Sequence, residues 1–126
     1  MLNDNAFRQF WQDSVYGGWG GRMVENQYDG YLRRTQNQIR LTGGAALAAV
    51  AFGYSPTSGW LDSVTSGNYA ATYSYVANSP LVSQINFKQG SVVKMTTAKA
   101  YDPVSQQTAI QSAVAGANQL PQAFAY

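Results

Sequence analysis

Apolar positions recur at three- and four-residue steps through the first part of the chain, the period of a helix. Phe7, Phe10, Trp11 and Val15 predict a short N-terminal helix over residues 4–16, capped by Asn3 or Asp4. Val24, Tyr28, Tyr31, Thr35 and Ile39 form a second stripe, with Arg33, Arg34, Gln36, Gln38 and Arg40 largely on the other faces. No proline interrupts residues 22–55. This long central helix is therefore expected to run on through Gly43-Gly44 into Ala45–Gly53, unless the glycine pair kinks or stops it.

Farther along, punctuation is frequent. Ser55-Pro56-Thr57-Ser58-Gly59 reads as a turn, and Trp60–Val64 as at most a short helix ending near Gly67. Residues 68–78 suit a helix through Tyr69, Tyr73 and Val76, or a strand through Tyr73–Val76. Ser79-Pro80 resembles a helix cap followed by a first-turn proline. Residues 85–95 have hairpin character, with Gln89-Gly90 at the turn and β-branched residues after it. Asp102-Pro103, followed by Val104, Gln107, Ile110 or Gln111, and Val114, predicts a C-terminal helix ending near Gly116. The expectation is a mainly α chain, residues 1–126 as a single domain formed within an oligomer. It would comprise a polar, basic helical part (1–42), an Ala/Gly-rich apolar segment (43–53) and a neutral Ser/Ala/Tyr-rich part (54–126). No internal repeat is evident.

Charge sharpens this picture. Between Leu41 and Phe87, 47 residues carry one formal charge, Asp62, whereas the first forty hold five arginines and four acids. Soluble monomers normally spread charge over their surface, so a long neutral stretch points to surface that faces other chains or a membrane. The net charge of +2 is too small to imply nucleic acid. Aromatics at 13% and apolar residues at 45% argue against disorder. No secretory signal is visible, and no apolar run reaches the ~18 residues of a conventional transmembrane helix.

The chain has neither histidine nor cysteine. That removes the commonest general base, the commonest metal ligand and the thiolate nucleophile together. The six acids are too scattered for a calcium loop or a marked catalytic pair. Gly17-Gly18-Trp19-Gly20-Gly21 does not match a dinucleotide fingerprint, and reads either as a hinge anchored by Trp19 or as a flexible turn. A non-enzymatic protein without cofactor or metal is expected.

Two candidate sites remain. Ala45, Ala49 and Gly53 would line one face of a helix with small residues and let helices approach closely, joined by Tyr28, Tyr31 and Trp19 as oligomer-packing residues. Arg33, Arg34 and Arg40 beside that apolar segment are candidates for phosphate or lipid contact. Eleven helical residues span only ~16 Å at about 1.5 Å per residue, against ~30 Å of hydrocarbon, so one copy could not cross a bilayer. Packing inside a protein oligomer is preferred to insertion, and a solvated helix face to sequence-specific nucleic-acid binding. Phe124-Ala125-Tyr126 would serve as a C-terminal docking peptide, through Phe124 and Tyr126.

The Gln/Arg stretch from Tyr31 into the Ala/Gly segment ending at Phe52, with the Ser/Gln/Ala-rich tail of residues 105–122, resembles small structural or internal proteins of tailed bacteriophages, particularly the short ejection proteins of short-tailed phages. The resemblance covers about a third of the chain and includes no diagnostic motif. It implies a non-enzymatic virion component, whose partners are its own copies and other virion proteins. It also implies possible release into the host envelope, as a membrane-inserting conduit. A nucleic-acid adaptor built on the three arginines is a further alternative.

Overall fold

In the computed structural model, which describes residues 12–16, 21–116 and 122–125, every regular element is a strand. The mainly α expectation is overturned. The strands are β1 (Gln12–Tyr16), β2 (Arg22–Tyr28), β3 (Arg34–Leu41), β4 (Ala46–Tyr54), β5 (Leu61–Ser66), β6 (Tyr69–Tyr75), β7 (Val82–Gln89), β8 (Val92–Tyr101), β9 (Gln107–Val114) and β10 (Gln122–Ala125). The chain divides into two compact units at Gly53/Tyr54. In the first, β1 to β4 pair antiparallel in sequence order. In the second, β5 to β10 do the same.

The helical stripe of the first half dissolves into a hairpin. Its members Val24 and Ile39 are direct cross-strand partners in β2 and β3, with Tyr31 at the loop between them. Residues 43–53, read as a small-residue helix, become a turn and β4. There Ile39 pairs with Ala48 and Gln38 with Ala49, so ladder pairing overrides the helix propensity of alanine. The N-terminal helix over 4–16 is overturned where the structure describes it, since Gln12–Tyr16 pairs with β2. Residues 4–11 lie outside the described residues. Residues 68–78, which suited helix or strand, contain β6. The predicted C-terminal helix is the β8–β9 loop followed by β9. The hairpin expected near 85–95 is present as β7–β8.

The cap-like signals belong to loops. Asp102 Oδ1 accepts from the backbone N–H groups of Val104 (3.0 Å) and Gln106 (2.8 Å), an Asx turn closing a hairpin and not a helix start. Ser79 Oγ accepts from Leu81 N–H at 3.2 Å. Side chain-to-backbone bonds of this kind serve helix caps and turns alike, so the residue types alone did not separate them.

A repeat missed at the level of sequence now becomes legible. Gly21, Gly43, Gly67, Gly90 and Gly116 each have positive φ and each follow an odd-numbered strand. The two-residue turns at Gly67 and Gly90 need left-handed backbone, which glycine adopts without strain. Each even-numbered strand from β2 to β8 instead ends in a tyrosine: Tyr28, Tyr54, Tyr75 and Tyr101. The loop after it closes by a backbone bond from its first residue, as in Asp29 N to Arg33 O (2.9 Å), Ser55 N to Trp60 O (2.8 Å), Val76 N to Leu81 O (2.8 Å) and Asp102 N to Gln106 O (2.9 Å). The repeating module is thus a strand, a connection bearing a left-handed glycine, a strand ending in tyrosine and a loop of five or six residues.

Two of these tyrosines tie the module together. Tyr75 OH donates to Leu61 O and Tyr101 OH donates to Val82 O, each reaching the first residue of the preceding odd-numbered strand. Burial is the main cause that pushes the Tyr75 phenol up from 10.0, with Tyr73 and Asp62 adding to it, so the hydroxyl remains a donor at neutral pH. Its ring stands 5.0 Å from that of Trp60. Tyr75→Phe and Tyr101→Phe are each expected to cost about 1 kcal/mol, the usual net value of one such bond. Urea unfolding of the two single variants and the double variant measures this, and a near-additive double variant is expected because the two bonds share no partner.

Candidate interaction surface

Alternation along the strands of the second unit gives its sheet two unlike faces. On one, Val64, Ala71, Phe87, Met95 and Val114 stand in register across β5 to β9, an unbroken apolar row. Beside it runs the row Tyr73, Ile85, Thr97 and Ser112, where the Thr97 and Ser112 hydroxyls hydrogen-bond at 2.9 Å. Lys99, Ile110 and Phe124 continue this face onto β10. The opposite face carries small and polar residues in register: Ser63, Thr72, Asn86, Thr96 and Ala113. Asn86 Oδ1 there accepts from Thr96 Oγ1 (2.8 Å) and Gln84 Nε2 (2.9 Å).

An amphipathic sheet of this kind normally buries its apolar face against a second layer. Among the described residues of this unit, none is buried. Val114 is 53% and Phe124 61% exposed. Within this unit the apolar row, half-buried from Val64 to Met95 and exposed at Val114, has no second layer of described residues over it.

The first unit is organised around a polar cluster. Glu25 is 2% exposed, next to Met23 at 6% and Gln38 at 9%. Its Oε1 accepts from Gln38 Nε2 (2.9 Å) and Gln27 Nε2 (3.2 Å), and its Oε2 faces the Arg40 guanidinium at 3.3 Å. Gln38 lies directly opposite Glu25 in the ladder. Among the described residues the buried Arg40 Nε has no hydrogen-bond partner, so there the cluster is satisfied at the carboxylate and incomplete at the arginine. The other face holds Val24, Ile39 and Ala48 in register, with Ile39 40% exposed, and an Asn37–Asn26 side-chain bond of 2.8 Å.

The structure does not gather the sequence candidates into their expected groups. Arg33 closes the β2–β3 loop against Asp29, with contacts of 2.7 and 2.8 Å, and its guanidinium lies 4.9 Å from the Tyr31 ring centroid. Arg34 begins β3 opposite Tyr28, and Arg40 is engaged with Glu25. Arg34 and Arg40 are six strand steps apart, about 20 Å at ~3.3 Å per step, so the three do not form one phosphate site. Tyr31 is 81% exposed at its loop tip, and Tyr28 ends β2. Ala45 precedes β4, while Ala49 and Gly53 lie within it. Phe124 is on β10 opposite Ile110. Trp19 and Tyr126 lie outside the described residues.

The helical reading, and the membrane insertion of a helix built on it, required a helix through residues 43–53, and that segment is a turn and a strand. Among the described residues, no helix is long and apolar enough to cross a membrane. The helical reading is withdrawn, and the membrane-associated reading with it as far as it rested on that helix. Sequence reasoning also missed Glu25 and the row through Phe87 and Met95. The recurring glycines are the signal that would have set the strands and hence that register.

Asp29 shows how the loops are held. Its Oδ1 accepts from the backbone N–H groups of Tyr31 (2.9 Å) and Arg33 (3.0 Å). The side-chain bond from Arg33, foremost, and these backbone bonds hold its carboxyl below 3.8. A carboxylate with a depressed folded pKa contributes stability above its unfolded pKa and loses it as pH falls through the folded value. Asp29→Asn is therefore expected to be less stable than the parent at neutral pH, with the gap closing as pH falls below the ordinary carboxylate range. Denaturant midpoints across that range measure it, and a constant gap would mean the charge is not responsible.

Compared with protein-family models and with curated proteins, the chain matches none.

Proposed function

We propose that this chain is a non-enzymatic structural subunit of a homo-oligomeric assembly, set in a bacteriophage virion as an internal, ejection or tail-associated protein. The observation that carries the reading is the in-register apolar row Val64–Ala71–Phe87–Met95–Val114, over which the described residues of its own unit place no second layer. Burying such a row against another copy would supply the second layer that the sheet lacks. The low content of charge, 11%, fits a surface largely given to protein contacts. The virion setting draws on the resemblance of residues 31–52 and 105–122 to small phage particle proteins. Its partners would be its own copies and other virion proteins.

The nucleic-acid adaptor reading is less favoured, since Arg33 and Arg40 are already engaged by Asp29 and Glu25. Light scattering over a concentration series tests the proposal. Masses at multiples of 13.7 kDa are expected. A monomer at every concentration would remove the homo-oligomeric reading.

A further inference from the structure

We propose that β10 is a docking edge for β10 of a second copy, the two strands pairing antiparallel about a two-fold axis at Phe124. This rests on the homo-oligomeric reading and names the segment that joins copies edge to edge. Four observations carry it.

First, β10 pairs only with β9 among the described residues and stands at the end of the strand order. Second, Ala123, Phe124 and Ala125 are all exposed, Phe124 at 61%. Third, residues 103–126 contain no charged residue. Sheet edges that must remain single are blunted by short length, proline, lysine, inward charge or a bulge; β10 is four residues long and follows Pro121, but carries no charge to repel a second copy.

The fourth observation selects the occupant. Ala123-Phe124-Ala125 reads the same in both directions, so antiparallel pairing on itself puts Phe124 opposite Phe124 and each Ala123 opposite Ala125 of the other copy. The two exposed rings then form a cross-strand aromatic pair on one face, with the alanine methyls on the opposite face. A two-fold axis perpendicular to the sheet keeps each face on its own side. The face bearing Ile110 and Phe124 therefore continues directly into the same face of the second copy. Edge pairing in this way extends the apolar face that the proposed assembly covers.

The absence of native cysteine makes the test direct. Paired strands hold opposed Cα atoms about 4.5–5.5 Å apart, within disulfide reach. Ala123→Cys and Ala125→Cys proteins, each retaining Phe124, are mixed and mildly oxidised. The mixed disulfide is expected to form at least about tenfold faster than disulfides of Thr57→Cys, an exposed loop control, and to dominate over either homodimer. Phe124→Cys is expected to cross-link to itself. Light scattering on the untreated protein separates the two levels of the argument. Oligomers without preferential 123–125 linkage overturn the edge and leave the subunit reading standing. Homodimeric linkage at 123 or 125 in preference to the mixed product overturns the two-fold register. Monomers overturn both.

Discussion

Met95→Lys is expected to turn the assembled protein into monomers, or to raise the dissociation constant at least about 100-fold, equivalent to ~2.7 kcal/mol. Met95 is the fourth of five residues in the apolar row, between Phe87 and Val114. An ammonium placed there would have to lose its water when the face is covered, with no carboxylate on that row to receive it. Lys99 lies on the same face, but near the end of β8, where its head group can extend beyond the margin. Ala98→Lys is the matched control, one residue before Lys99 on the opposite, exposed face. Light scattering of both variants reads the result. If Ala98→Lys dissociates the oligomer and Met95→Lys does not, the small polar face is the contact surface and the apolar row is not.

Glu25→Ala has the largest expected effect on stability. The substitution leaves Gln38 and Gln27 without their common acceptor and Arg40 without its carboxylate. Removing one member of a buried charged cluster costs about 3–5 kcal/mol, because the partner charge stays desolvated. Arg40 retains 33% exposure and can turn partly to water, which lowers the expectation to about 2–3 kcal/mol. For a chain of this length that corresponds to a fall in Tm of about 8–11 °C. Glu25→Gln keeps an acceptor for Gln38 and should fall between the parent and the alanine variant. Thermal unfolding followed by circular dichroism orders the three. Equal stability of Glu25→Ala and the parent would mean that the cluster sits in the fold without supporting it.

The sequence misled on secondary structure for a definable reason. In the first half, residues such as Val24, Tyr28, Tyr31, Thr35 and Ile39 match helical steps, yet the chain reverses at Asp29–Arg33 between them. A stripe counted across a turn has no geometric meaning. Alanine in β4 and the Asp102-Pro103 pair added to the error, since both suit helices in isolation and here serve a ladder and a loop. The glycines were visible but were read singly, and only Gly90 as a hairpin turn, although together they marked the connection after each odd-numbered strand.

The site was less legible still. Small-residue spacing gave Ala45, Ala49 and Gly53 as packing positions on a helix that does not exist. The apolar row could not be read from any one segment, because its members come from five strands and meet only once register is known. Glu25 was equally hidden: its burial depends on Gln38 and Arg40 of the next strand, not on neighbours in sequence. The absence of histidine and cysteine, by contrast, needed no fold to interpret.

The alternation of glycine turns with tyrosine-ended strands has a consequence for how this chain tolerates changes in length. Each passage from one turn glycine to the next, 22–26 residues, takes the chain out and back once. Excising a whole passage would return the remaining strands to their original direction and keep apolar and polar side chains on their own sides. Excising half a passage would reverse the next strand and turn every downstream ladder against its pattern. Insertions and deletions in relatives of this chain are therefore expected to come in whole hairpins, so that the sheet varies in width while its texture is preserved.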